Sequence, residues 1–279
     1  MSEALVVERD GRVATIINND APRNRMTLEF IDQLETTIPE IEKDKSIGAV
    51  VIRGAGEEHF SVGMNLKQFS EGAKAKGSIF GMLDQRLRVI RKIELSTKPW
   101  IATMYGYCLG GGLELPLGCH FRLAAEEGAK IGLPEMDLGT VPAWGGSARL
   151  TRAVGRSAAL DMILRGKMIS GPEAYRIGLV QEVWPSHQLQ AKAQELAHEL
   201  AQQPAAAVAG VLDTVVRAGE LSLEEAIAAE RAAVEATFGT PDQAEGMRAF
   251  LEKREPRFHN DARIRNSRAD SGKGIGPGN

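Results

Sequence analysis

Short apolar runs alternate with amphipathic stretches up to about Gly146, and beyond it the apolar positions recur at helical spacing. Leu5 to Glu8 and Val13 to Ile17 flank Asp10-Gly11, which supplies positive-φ residues for a type I′ turn, so the chain opens with a predicted β-hairpin. Asn18 to Arg25 is polar, contains Pro22 and reads as a loop. Thr27 can cap a helix in which Leu28, Ile31, Leu34, Ile38 and Ile41 follow at spacings of three and four, although Pro39 inside the pattern is expected to split it. Gly48 to Arg53 reads as a buried strand. Phe60 to Lys67 approaches Gly63 as a short apolar segment, and a polar, mobile stretch is expected up to about Gly81. Leu83, Leu87, Ile90 and Ile93 mark a helix that stops near Lys98-Pro99. The strand Trp100 to Met104 leads into Gly110-Gly111-Gly112-Leu113-Glu114 and a further apolar, helical-looking segment, with short strands at Phe121 to Ala124 and Ile131 to Leu133. Repeated strand-strand-helix order predicts a layered α/β domain.

The helices that follow are Ser147 to Val154, Ser157 to Leu164 and Pro172 to Ile177, then a last strand from Leu179 to Trp184. An alanine-rich helical region runs from about His187 to Arg254, punctuated by two capping boxes, Ser222 with Glu225 and Thr240 with Gln243. Such helices bury only small faces, so this region reads as a lid or an oligomer contact. The division expected is a core over 1–185, a helical subdomain over 186–258 and a disordered tail over 259–279.

Composition narrows the picture. Thirty-four Lys plus Arg against thirty-seven Asp plus Glu leave a charge of -3, with no basic block to suggest nucleic acid. Cys108 and Cys119 lie in apolar surroundings without metal-ligand spacing and read as reduced, packed thiols. Neither a signal peptide nor a membrane span is legible, so a soluble, cytoplasmic-type protein with no membrane partner is expected. The triple glycine carries the chemistry: a strand turning through bare backbone into a helix presents free N–H groups to an anion, and equally makes an ordinary tight corner. His59 and His120 read as core or surface residues.

Three segments together resemble the crotonase, or enoyl-CoA hydratase/isomerase, superfamily. They are Phe60-Ser-Val-Gly-Met-Asn-Leu-Lys67, Lys98-Pro-Trp through Gly110-Gly-Gly-Leu-Glu-Leu115, and Gly132-Leu-Pro-Glu-Met-Asp-Leu-Gly-Thr-Val-Pro142 through Gly145-Gly146, with Arg149-Leu150 and Val154-Gly155 following. The likeness covers residues 5 to 258. It implies a spiral of strand-strand-helix units, a C-terminal helical region that builds a homotrimer or a hexamer made of two trimers, and enolate chemistry on an acyl-CoA thioester.

On this resemblance the oxyanion-hole amides are those of Met64 and Gly111, and the acid/base pair is Glu114 and Glu135. Substrate contacts are implied at Arg23, Asn65, Leu66, Lys67, Gly110, Ala143, Trp144 and Phe258. No metal or redox cofactor is implied, coenzyme A being part of the substrate. Having both glutamates favours hydration or dehydration; a double-bond isomerase, a C–C-cleaving cyclic diketone hydrolase and a silent scaffold are the alternatives. The chain departs from the family pattern at Met64 for Ala, Asn65 for Asp, Asn24-Arg25-Met26 after Pro22, Pro116 after the glycine turn, and Ala143-Trp144 for Gly-Ala. Asp137 reads as structural or surface. Trp144 either shapes the acyl pocket or turns outward and packs.

Overall fold

The computed structural model describes residues 3–259. The hairpin strands β1 (Leu5–Asp10) and β2 (Val13–Asn18) pair antiparallel, with Asp10 opposite Val13. The turn therefore centres on Gly11-Arg12, and only Gly11 has positive φ, which rules out the type I′ turn, since that needs two such residues. Helix α1 (Leu28–Lys43) follows, capped by the Thr27 hydroxyl, which accepts the Phe30 N–H. Pro39 does not split it. The carbonyl that Pro39 leaves without a helical donor belongs to Glu35, and the Lys92 ammonium donates to it.

Strand β3 (Ala49–Gly54) precedes a stretch that is more ordered than its composition suggests: a 3-10 turn at Leu66–Gln68, helix α2 (Phe69–Ala75) and helix α3 (Ile79–Glu94). Gln68 ties this turn to α1 by accepting the Leu28 N–H and donating to Glu29. Next come β4 (Trp100–Met104) and β5 (Tyr107–Leu109), the latter not anticipated because three residues carry no period. Helix α4 (Gly111–Glu114) is one turn long and runs into a 3-10 turn at Pro116–Gly118, so the helix expected after the glycines is cut short where Pro116 lacks an N–H.

Strands β6 (Phe121–Ala125) and β7 (Lys130–Gly132) lead to α5 (Gly146–Leu164), which is broken at Gly155, where φ is 77°, as the two predicted segments require. Helix α6 (Gly171–Arg176) starts on the Ser170 cap, and β8 (Glu182–Trp184) is shorter than predicted.

Six strands form one sheet in the order β1-β2-β3-β4-β6-β8, parallel from β2 onward. A second layer is built from β5 paired with β7 and from single bridges, Met26 with Met64 and Ser61 with Cys108. Each turn of the chain thus lays a strand in the large sheet, a short extended piece in the small layer and then a helix, which is the crotonase spiral. Burial on both sides makes β2, β3 and β4 read as unbroken apolar runs.

Helix α7 (Ser186–Ala201) crosses one face of the large sheet through Leu189, Ala193, Ala197 and Ala201, and the small side chains let it come so close that Gly48 has no room for a Cβ beside Ala201. The helices that stand off the core are α8 (Ala205–Arg217), α9 (Leu223–Thr237) and α10 (Pro241–Glu252). The Ser222–Glu225 capping box is complete. At Thr240 only half of the box forms, because the Gln243 side chain accepts the Gly239 N–H instead of the Thr240 N–H. Among the described residues no helix is long and apolar enough to cross a membrane. The tail expected to be disordered lies outside the described residues, except for His259.

Candidate active site

The glycine turn sits where the two layers meet. Gly110, with φ 55° and ψ -126°, takes a conformation that disfavours a side chain, and a Cβ there would stand 3.0 Å from the Glu135 Oε1. The Gly110 carbonyl accepts the N–H groups of Leu113 and Glu114, closing α4. Gly63, with φ 95°, packs so closely that a Cβ on it would lie 2.7 Å from the Leu109 carbonyl oxygen, and it would reach the Gly111 nitrogen at 3.8 Å. Ser61, buried beneath Gly112, accepts the Gly63 N–H through its hydroxyl and pins this loop. The Met64 and Gly111 amides are therefore neighbours. Among the described residues neither N–H donates to a protein acceptor. With α4 a single turn, little macrodipole stands behind Gly111, and the local N–H groups have to do the binding.

Glu114 is 2% exposed, and its Oε1 accepts two backbone N–H groups, from Trp144 at 2.7 Å and Gly146 at 2.9 Å. Gly146 is required there, because a Cβ would meet the carboxylate at 2.8 Å. Burial pushes the Glu114 carboxyl up to about 7; its two N–H donors oppose the rise, and the charge of Glu135 adds to it. Glu135 opens a 3-10 turn (Glu135–Leu138) after β7, its Oε2 is buried without a partner among the described residues, and burial raises its pKa as well. Glu114, on the turn that the glycines open, and Glu135, whose Oε1 lies beside Gly110, thus flank the glycine turn, and both have raised pKa values.

Trp144 turns inward. It is 3% exposed, and its indole covers the Gly111 Cα so closely that a Cβ on Gly111 would fall inside the ring's van der Waals envelope. The Arg149 guanidinium holds this segment by donating to the Trp144 carbonyl at 3.0 Å while pairing with Glu94 at 3.0 Å, both side chains being mostly buried.

Of the other expected substrate residues, Asn65 is half-buried and donates to Gln68, while Leu66, Lys67, Arg23 and Ala143 are exposed around the same loops, with the Arg23 carbonyl accepting the Val62 N–H. Phe258 is not brought to the site within this chain. It lies against Gly246 on α10, and His259 beside it lines a cavity with Gly48, at the start of β3, whereas the glycine turn lies beyond the strands' C-terminal ends. His120 and His59 are structural: each accepts a backbone N–H through Nδ1, from Trp100 and Tyr107 respectively. Asp137 packs near Gly166. Glu94 and Arg86, which touch the Trp144 segment from α3, were not singled out from sequence, since a charged residue on an amphipathic helix ordinarily faces solvent. Among the described residues no cluster of three or more His, Cys, Asp or Glu side chains is gathered that could hold a metal.

The comparisons with known proteins bear on the family and the fold. The enoyl-CoA hydratase/isomerase family model matches residues 8–261. A probable enoyl-CoA hydratase of Mycobacterium bovis is 38% identical, covering 92% of this chain and 98% of its own length. A short-chain-enoyl-CoA hydratase of Clostridium acetobutylicum is 35% identical over 90% of this chain and 95% of its own. The crystal structure of an enoyl-CoA hydratase from Bacillus anthracis superposes with a TM-score of 0.87 at 32% identity, covering 92% of this chain and all of that one. The chain belongs to the enoyl-CoA hydratase/isomerase family, on the enoyl-CoA hydratase side of the crotonase superfamily.

Proposed function

We propose that this chain is a hydratase-type lyase that adds water across the double bond of an α,β-unsaturated acyl-CoA thioester, or removes it in reverse. One observation carries the reading: the Met64 and Gly111 N–H groups, which have no protein acceptor among the described residues, belong to the loops packed at the glycine turn, where buried Glu114 and half-buried Glu135 both have raised pKa values. The thioester oxygen accepts both N–H groups. Water attacks the β-carbon and gives a proton to one carboxylate, while the double-bond electrons move onto the thioester oxygen as an enolate. Collapse of the enolate takes a proton at the α-carbon from the other carboxyl.

Fixed amides meet the developing negative charge without reorganising, which is why the site uses backbone and no particular side chain. Glu114, whose Oε1 is fixed by two backbone N–H bonds, is the more rigidly oriented carboxyl and in its ionised form serves the water. Glu135, with its unpartnered Oε2, is the acid. The coenzyme A portion belongs to the substrate, no metal or redox cofactor enters the reaction, and Arg23 and Lys67 at the exposed rim offer positive charge to its phosphates. The exposed apolar faces of α8 to α10 support a homo-oligomer, a homotrimer or a hexamer of two trimers being the assemblies that the resemblance implies.

Crotonyl-CoA hydration tests the reading. Glu114→Gln and Glu135→Gln are each expected to lower kcat at least about 100-fold while saturable binding of butyryl-CoA persists. Near-normal turnover by either variant would sink the assignment.

A further inference from the structure

Arg86, in the middle of α3, is only 1% exposed, which is unusual for a guanidinium without a direct carboxylate partner. Its Nη1 donates to the Met82 carbonyl at 3.0 Å and to the Gln85 Oε1 at 3.1 Å. Its Nε and Nη2 are buried with no acceptor among the described residues. The acids nearest to it, Asp32 and Glu35 on α1, are already engaged: the Gln85 amide donates to both, Lys76 pairs with Asp32 and Arg88 with Glu35. They reach Arg86 only through Gln85 and through their field. Burying an arginine with donors unspent costs free energy unless something supplies acceptors, and a carboxylate matches the guanidinium fork.

The side chain that Arg86 stands over is Trp144, with Cζ 5.7 Å from the ring centroid, and the indole of Trp144 is also what covers Gly111. Arg86 and Gly111 thus lie against the same indole.

We infer that Arg86 is a specificity-determining residue of the acyl pocket and that the preferred substrate is a short acyl-CoA whose acyl chain ends in a carboxylate. The inference rests on the hydratase reading for the position of the thioester at Gly111. The carboxylate end accepts from the Arg86 Nε and Nη2, and the chain lies along Trp144.

Binding of saturated ligands tests it without turnover. Titration calorimetry with glutaryl-CoA and pentanoyl-CoA is expected to show the wild-type protein holding the carboxylate-ended ligand at least about tenfold more tightly, as a hydrogen-bonded buried charge pair should. Arg86→Met should remove that difference while leaving pentanoyl-CoA affinity within about threefold, and Arg86→Lys should retain part of it. Equal wild-type affinities, or a preference for pentanoyl-CoA, would overturn the inference whether or not the variants fold. So would an Arg86→Met variant that weakens both ligands alike, which would reduce Arg86 to a support for Trp144. Turnover of crotonyl-CoA, pentenoyl-CoA and the carboxylate-ended glutaconyl-CoA by the same wild-type preparation separates the two ideas. Hydration with no carboxylate preference in binding rejects the inference and keeps the hydratase reading, whereas a carboxylate preference without hydration of any enoyl-CoA rejects the hydratase reading and keeps the Arg86 site.

Discussion

At Gly111 a missing side chain makes room for a large one. Its backbone does not require glycine, since its φ is not positive, so what excludes a Cβ is the Trp144 ring. Gly111→Ala is therefore expected to displace the indole, destabilise the fold by about 1–3 kcal/mol and depress turnover. Adding Trp144→Ala should recover much of the lost turnover, because the clash disappears. Strictly additive single and double variants in denaturation and kcat/KM measurements would show that the two residues do not interact. Glu114 makes a second residue-scale prediction. Its folded pKa, about 7, lies above that of an unfolded carboxyl, so the folded state binds the proton more tightly. Its effect on stability is most favourable in acid and is progressively lost as pH rises from the ordinary carboxylate range through 7. Glu114→Gln should thus match the wild type near pH 4 and exceed its stability by up to about 3 kcal/mol above pH 8, read by urea denaturation across that range. A gain that is largest in acid would contradict the assigned cause.

At the scale of elements, one ion pair holds the site in shape. The Arg149–Glu94 pair joins the start of α5 to the end of α3 and fixes the segment that presents the Trp144 and Gly146 N–H groups to Glu114. Without Arg149, Glu94 keeps only Arg91 among the described residues and the Trp144 carbonyl loses its donor, so Arg149→Met should cost about 1–3 kcal/mol and lower kcat more than it raises KM, since the proposed acid/base group loses its alignment. A variant with unchanged kcat would place the pair outside the catalytic geometry. Helix α1 offers a contrast remote from the chemistry. Pro39 removes one helical hydrogen bond and leaves Glu35 to a long-armed lysine at 3.4 Å. Pro39→Ala restores the N–H and should raise Tm with kcat unchanged. A fall in Tm would mean that the rigid ring contributes more through the unfolded chain than the missing bond costs.

At the scale of the whole molecule, α8 and α9 bury no residue within the described chain, and α10 buries only Ala249. Val211, Val215, Leu223, Ile227, Phe250 and Leu251 are left exposed on this region. Apolar exposure on this scale calls for a partner, and the proposed partner is further copies of the chain. Light scattering is expected to report an oligomer that Phe250→Asp with Leu251→Asp dissociates; a wild-type monomer at micromolar concentration would remove the proposal. Phe258 belongs to the same question, since within one chain it is remote from Gly111.

Much of this was legible one residue at a time. Apolar period placed α1, α3 and the buried strands, cap chemistry placed the starts at Thr27, Ser222 and Thr240, and the spacing of the glycine and proline motifs carried the family and drew attention to Glu114 and Glu135, because each of these signals is local along the chain. Short pieces escaped it: β5 is too brief to show a period, and α4 stops at Pro116 for want of a single N–H. What only the tertiary structure decided depends on contacts between distant segments. Trp144 lies over Gly111 because Arg149 and Glu114 hold its backbone. Arg86 is buried because α3 presses it onto that indole. The two glutamates titrate abnormally because burial withdraws water from them. A residue's type says which chemistry it can perform; the neighbours that dry, charge or crowd it are set only when the spiral closes.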